Sequence, residues 1–136
     1  MVVVDSNVFV SMFSEKDPNF NKAQKVLEKI VEKTIKVEVP SVFLPEICGA
    51  IRRIANKGFA SSVKNEIKQW IGSKLISIYE ITGKRMEDSS DIAIKLSLKG
   101  GDSIFVSLAD ELDVELLTFD KEINKKIKGT VKTFKI

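Results

Sequence analysis

Histidine does not occur anywhere in the 136 residues. Its absence removes imidazole as a general acid or base. That excludes the His-based metal-free ribonucleases, the Ser-His-Asp hydrolases and the Cys-His enzymes together. Cysteine occurs once, at Cys48. A lone thiol forms neither an intramolecular disulfide nor a Cys-rich zinc site, which suits a reducing cytoplasm. Its neighbours Ile47, Gly49 and Ala50 are apolar or small, so Cys48 reads as a buried core residue. No apolar run approaches the ~20 residues of a membrane span. Met1-Val2-Val3-Val4-Asp5 lacks the basic leader of a signal peptide and meets an acid at once, so the expected location is the cytoplasm. Repeats, low-complexity tracts and linker-like shifts are also missing, which predicts one domain over 1–136.

What is present is ordinary for a folded, water-facing chain: 43% hydrophobic and 30% charged residues. The net charge of +3 permits a polyanionic partner without requiring one. The order of elements is more informative. Val2 to Val4 is a continuous β-branched run, as in a strand buried on both faces. Ser6 to Phe13 reads as a short helix and Asp17-Pro18-Asn19 as a turn. A helix over 20–34 carries Ala23, Val26, Leu27, Ile30 and Val31 at three-and-four spacing. Lys36 to Val39 is a strand. Pro40-Ser41 opens a helix that runs to Lys57 and stops at Gly58.

A helix over 60–72, a strand from Leu75 to Tyr79 and a helix over 84–98 ended by Gly100-Gly101 follow. Asp102 opens the next helix, Ser103 to Leu112. Glu115 to Thr118 is a strand, Lys121 to Ile127 a short helix and Val131 to Phe134 a last strand. Strands alternating with helices predict a three-layer α/β/α sandwich with a mostly parallel central sheet. Ligands of such sheets bind at the carboxyl ends of the strands.

Four acids are placed to gather there. Asp5 follows the first strand directly, and Asp120 follows the Leu116-Leu117-Thr118 strand by one residue. Asp102 opens the helix leading into that strand. Glu46 lies in an early turn of the helix after Val39, ~100° from Ile47 and so at the border of the buried stripe. Taken singly, Asp5, Asp102 and Asp120 also read as helix caps, and Glu46 as a solvated helix residue. Taken together they repel one another and call for a cation. Oxygen-only donors select Mg²⁺ or Mn²⁺. With no histidine available, a bound metal is the evident route to hydroxide near neutral pH.

The chain resembles the PIN domain family. The matching segments are Val3-Val4-Asp5-Ser6-Asn7-Val8, Pro40-Ser41 with Leu44-Pro45-Glu46-Ile47, Gly101-Asp102-Ser103-Ile104-Phe105-Val106-Ser107-Leu108-Ala109, and Leu117-Thr118-Phe119-Asp120. The resemblance implies a nuclease with a Mg²⁺ or Mn²⁺ site faced by Asp5, Asp102 and Asp120. Glu46 would complete the cluster directly or through a water. Ser6, Asn7 and Thr118 would orient the acids by hydrogen bonds. A stand-alone domain of this length is most similar to the toxin of a VapBC-type prokaryotic toxin–antitoxin pair. That implies cleavage of a tRNA or ribosomal RNA, a homodimer, and a cognate antitoxin.

A carboxylate site needs cations around it to accept RNA. Arg52, Arg53 and Lys57 follow Glu46 on its expected helix, and Arg53, seven residues on, shares its side. Lys84, Arg85 and Lys99 lie on the expected helix before Gly100-Gly101. Lys121, Lys125, Lys126 and Lys128 read as solubilising a terminal helix, and Trp70 as core or dimer interface. Three alternatives stand beside the nuclease. One is a PIN-like nuclease that processes RNA, and another is a non-catalytic RNA-binding module. The third is a haloacid-dehalogenase-type phosphatase with Asp5 as nucleophile, although Asn7 stands where its second acid belongs.

Overall fold

A computed structural model describes residues 1–136. The elements in chain order are β1 (Val2–Val4), α1 (Ser6–Met12), α2 (Phe20–Val31), β2 (Val37–Pro40), α3 (Phe43–Ile54), α4 (Lys57–Gly72), β3 (Ile76–Tyr79), α5 (Gly83–Leu96), α6 (Gly100–Leu112), β4 (Glu115–Leu117) and α7 (Lys121–Lys126). The four strands form one sheet in the order β3-β2-β1-β4, and every pairing is parallel. Strands in such a sheet are covered on both faces, which is why β1 is Val-Val-Val and fully buried. α5 and α6 pack on each other, with α6 against β1, β2 and β4. α1 packs on both α2 and α3, and α3 packs on α4. This is the expected α/β/α sandwich with its parallel central sheet.

Phe9 of α1 meets Phe43 of α3 with ring centroids 5.5 Å apart. Trp70 is buried in the core, as one of its two expected placements required, and stacks on Phe13 at 5.7 Å. Its indole N–H donates to Glu66. Cys48 departs from expectation: it is only partly buried.

Several boundaries differ from the sequence reading. Pro40 closes β2 instead of opening a helix, and α3 starts at Phe43, with Pro45 in its first turn, where a missing N–H is harmless. The helix expected to stop at Gly58 stops at Ile54. Ala55 is extended and the Asn56 side chain accepts from Phe59 N at 2.8 Å, capping a new helix. Lys57 therefore lies on α4 and not on the helix of Glu46. Gly100-Gly101 likewise begins a helix instead of ending one. α5 ends at Leu96 because Ser97 takes the left-handed conformation (φ 56°, ψ 46°) usually given to glycine. Lys99 is then the N-cap residue of α6 and not part of α5. The last expected strand, Val131 to Phe134, reduces to a single bridge between Leu116 and Thr133.

Candidate active site

β1 and β4 are paired in register, Val4 beside Leu117. The next residue of each strand, Asp5 and Thr118, therefore emerges at the same carboxyl edge. Thr118 Oγ1 donates to Asp5 Oδ2 at 2.7 Å. The Asn7 amide donates to the same Asp5 oxygen at 3.2 Å and to Thr118 Oγ1 at 3.0 Å. Asn7 Oδ1 in turn accepts from Phe119 N at 3.2 Å. Two of the three residues expected to orient the acids, Asn7 and Thr118, thus hold Asp5 in a closed triangle. The bonds also explain an asparagine at position 7: its amide is a donor to Asp5, a role a second acid of the phosphatase type does not fill while ionised.

Asp5, Glu46, Asp102 and Asp120 all line one open cleft of about 620 Å³ at this edge. The sequence readings of the acids as caps separate cleanly. Asp5 occupies the N-cap position of α1 but makes no capping hydrogen bond. Asp102 lies inside the first turn of α6, whose N-cap position belongs to Lys99. Only Asp120 caps, through Oδ1 to Glu122 N at 2.8 Å and Ile123 N at 3.2 Å. A Cβ built on Gly101 would stand 3.9 Å from both Glu46 carboxyl oxygens, so α3 and α6 approach closely at the acids.

The carboxyls act on one another. Burial, followed by the charges of Asp102 and Asp120, raises Asp5 from the usual 3.8 to about 6 against the opposing Thr118 hydrogen bond. Glu46 is pushed up by desolvation at the cleft and then by Asp5 and Asp102, with the Ser6 hydroxyl opposing the rise. Asp102 is pushed up by partial burial and then by Asp120, with Lys99 and Lys126 offsetting part of the rise.

No three of these acids close into a ready-made ligand shell for a metal ion. A magnesium-type ion does not require one, since it keeps several waters and takes one or two carboxylates from the protein. Two features fit such an ion. The donors are all oxygen, and Ser6 Oγ, on the cleft wall, is buried without a hydrogen-bond partner. Ser6 lies close enough to Glu46 for its hydroxyl to favour the ionised carboxylate, without closing a well-formed hydrogen bond to it.

The expected RNA-facing cations divide. Arg53 lines the cleft with the acids. Arg52 instead donates to the Ala55 carbonyl at 3.2 Å. Lys84 is paired with Asp88 at 3.0 Å, and Arg85 with Glu111 at 3.0 Å over the Tyr79 ring. Lys126, read as merely solubilising, donates to the Ser97 carbonyl at 2.9 Å and is one of the charges felt by Asp102. Asp17, Asn19 and Phe119 also line the cleft, and Lys22 Nζ lies 5.8 Å from the Phe119 ring centre. Only turn chemistry marked Asp17 and Asn19 in the sequence.

A family model described as PIN domain matches residues 2–128. The chain belongs to the PIN domain family. No curated protein sequence matches this PIN domain. Among solved structures it is similar to Mycobacterium tuberculosis VapC20, described as a sarcin–ricin loop cleaving toxin. The TM-score is 0.78 at 13% identity, over 99% of this chain and 100% of that one. It is similar to a chain of a toxin–antitoxin complex from Klebsiella pneumoniae, with TM-score 0.69 and 18% identity over 100% of both chains. It also resembles a chain of FitAcB from Neisseria gonorrhoeae, with TM-score 0.74 and 13% identity over 99% of this chain and 97% of that one. At such identities the likeness establishes the fold of this PIN domain. No helix in it is long and apolar enough to cross a membrane.

Proposed function

We propose that this PIN domain is a divalent-metal-dependent ribonuclease that hydrolyses RNA phosphodiester bonds. In this reading it is the toxin of a prokaryotic toxin–antitoxin pair, a cytoplasmic homodimer that acts on tRNA or ribosomal RNA and is held in check by a cognate antitoxin. The observation that carries the nuclease reading is the gathering of Asp5, Glu46, Asp102 and Asp120 in one cleft, with Asp5 buried and free of any capping role. The toxin reading is supported by the family match and by solved relatives described as toxins or toxin–antitoxin complexes.

Asp5, Asp102 and Asp120 would hold Mg²⁺ or Mn²⁺, with Glu46 binding directly or through a water. Such an ion supplies Lewis-acid stabilisation of the phosphoryl oxygens and lowers the pKa of water. The protein's own contribution is positioning. Thr118 and Asn7 both donate to one oxygen of the Asp5 carboxylate and leave the other without a side-chain hydrogen bond. The Asp120 cap leaves Oδ2 free. Glu46 and Asp102, both shifted upward by burial and neighbouring charge, are suited to align or deprotonate the attacking water. In-line attack by water leaves a 5′-phosphate and a 3′-hydroxyl and has no use for the RNA 2′-hydroxyl as nucleophile.

The test is cleavage of labelled tRNA and ribosomal RNA with Mg²⁺ or Mn²⁺ and with EDTA, followed by chemical mapping of the product ends. Metal-dependent cuts with those termini, lost in Asp5→Asn and Asp102→Asn, are expected. Undiminished cutting by folded Asp5→Asn would overturn the assignment.

A further inference from the structure

A rim of carboxylates repels a polyanion, so the cations nearest the cleft decide whether RNA can approach it. Of the cations that the sequence offered, Lys84 is paired with Asp88 and Arg85 with Glu111. Besides Lys22, which lies over the Phe119 ring, two groups stand near the acids without an ion pair of their own.

The first is Arg53, on the α3 side. A Cβ built on Gly49 would lie 3.5 Å from Arg53 Nη1, so the guanidinium folds back along α3 by about one turn, toward Glu46. Although the cleft wall holds five acids, Arg53 makes neither an ion pair nor a hydrogen bond with any of them. Its planar fork of donors is therefore available, and it suits a phosphate.

The second group is on the α6–α7 side. Lys126 reaches from the last turn of α7 to the Ser97 carbonyl, 2.9 Å away and 29 residues back in the chain. Ser97 is held left-handed at the end of α5, and two residues later Lys99 takes the N-cap position of α6, three residues before Asp102. The Ser97 carbonyl uses one of the three ammonium donors of Lys126 and fixes its direction. Two donors remain.

We propose that Arg53 on one side and Lys99 with Lys126 on the other bind the RNA phosphates flanking the scissile one, so that the backbone crosses the acids from α3 to the α6–α7 corner. This inference rests on the nuclease reading for the position of the scissile phosphate. Each contact is to backbone phosphate and carries affinity without sequence information. The cations also explain how a recessed, negative site accepts a strand: the flanking phosphates supply the binding free energy that brings the central one against Asp5.

The experiment uses fluorescein-labelled tRNA and full-length protein carrying Asp5→Asn, so that binding is read without cutting. Affinity is followed against KCl concentration with Mg²⁺ present. Removing one phosphate contact flattens the slope of log K against log salt by about 0.7–1. Lys126→Gln, Lys99→Gln and Arg53→Gln are each expected to weaken binding and flatten the slope. Lys84→Gln, whose partner is Asp88, is expected to leave it unchanged, and Lys126→Arg to restore it. Slopes equal to the parent in both Lys126→Gln and Arg53→Gln, or no tRNA binding at low salt, would overturn the proposal. The two failures are distinguishable. Flattened slopes beside a wild-type protein that cuts no RNA would sink the nuclease reading and keep the binding track. Metal-dependent cutting with unchanged slopes would sink the track alone.

Discussion

Thr118 donates its hydroxyl to Asp5 at 2.7 Å across 113 residues of sequence, and the parallel register of β1 with β4 is the reason the two meet. The same oxygen accepts from Asn7 Nδ2 and from Asp120 N at 3.2 Å. One hydroxyl therefore ties three site residues together, including two of the four acids.

Thr118→Val keeps the shape and removes all of these bonds. Leaving buried donors without an acceptor costs about 1–3 kcal/mol. Loss of a group that orients metal-facing carboxylates typically weakens metal affinity by about 10–100-fold. The expected outcome is a lower urea midpoint and a weaker Mn²⁺-induced rise in melting temperature, with Thr118→Ser close to wild type. A Val variant that melts and responds to Mn²⁺ like the parent would show that the triangle does not hold Asp5.

Asp5 also sets a pH dependence in the metal-free protein. Its carboxyl titrates near 6 when folded and near 3.8 otherwise, so between those values the folded state holds a proton that the unfolded state has lost. Stability therefore falls as pH rises through that window, by up to about 3 kcal/mol at ~1.4 kcal/mol per pKa unit. Glu46 and Asp102, raised in the same direction, add to it. In EDTA the melting temperature should be higher at pH 5 than at pH 7. A flat or rising profile over that range would contradict the burial and mutual repulsion of these acids.

Asp5→Asn should abolish cutting yet raise the melting temperature in EDTA at pH 7. The Asn carbonyl oxygen can accept from both Thr118 and Asn7, while the buried charge disappears. The advantage should shrink toward pH 5, where the Asp5 carboxyl is mostly protonated. Millimolar Mg²⁺ should stabilise the parent more than the variant. Destabilisation of the variant at pH 7 would mean that the charge is favourable where it sits.

The sequence made the scaffold of this site readable and hid its edges. Three valines before Asp5 marked a strand covered on both faces, because a parallel central strand has no solvent side to encode. Whether Asp5, Asp102 and Asp120 were caps or site residues was not separable, since a carboxylate at a helix start serves either purpose; the separate capping geometry of Lys99 and Asp120 divides them. Gly58 and Gly100-Gly101 suggested helix ends, but Asn56 and Ser97 do the terminating, and the glycines sit in the first turns of the following helices. Lys57 and Lys99 were misplaced for that reason. Lys126 was invisible as a site neighbour because its partner is a backbone carbonyl, and every residue except its own conformation looks alike there.

Glu38 was also unreadable, lying inside a four-residue strand as a single acid between two valines. It sits beside Val3 and Ser77 in the sheet, fully buried, with neither carboxyl oxygen hydrogen-bonded and the nearest cation, Lys36 Nζ, 3.9 Å away on an exposed side chain. Tyr79 lies on the same face of the sheet, its phenol raised by burial, then by the Glu38 charge and by the approach of its hydroxyl to the Glu38 carboxylate, which falls short of a well-formed hydrogen bond. A carboxylate desolvated with so little compensation is a net cost, and replacing such a group with an apolar one of similar volume is often neutral or stabilising by about 1–4 kcal/mol. Glu38→Met should therefore raise the urea midpoint with an unchanged m-value. Glu38→Gln should gain less, because its amide remains a buried polar group. If the Met variant proves less stable, Glu38 must hold a partner in solution strong enough to repay its burial, and the Tyr79 hydroxyl, on the same sheet face, is the first group to test by Tyr79→Phe.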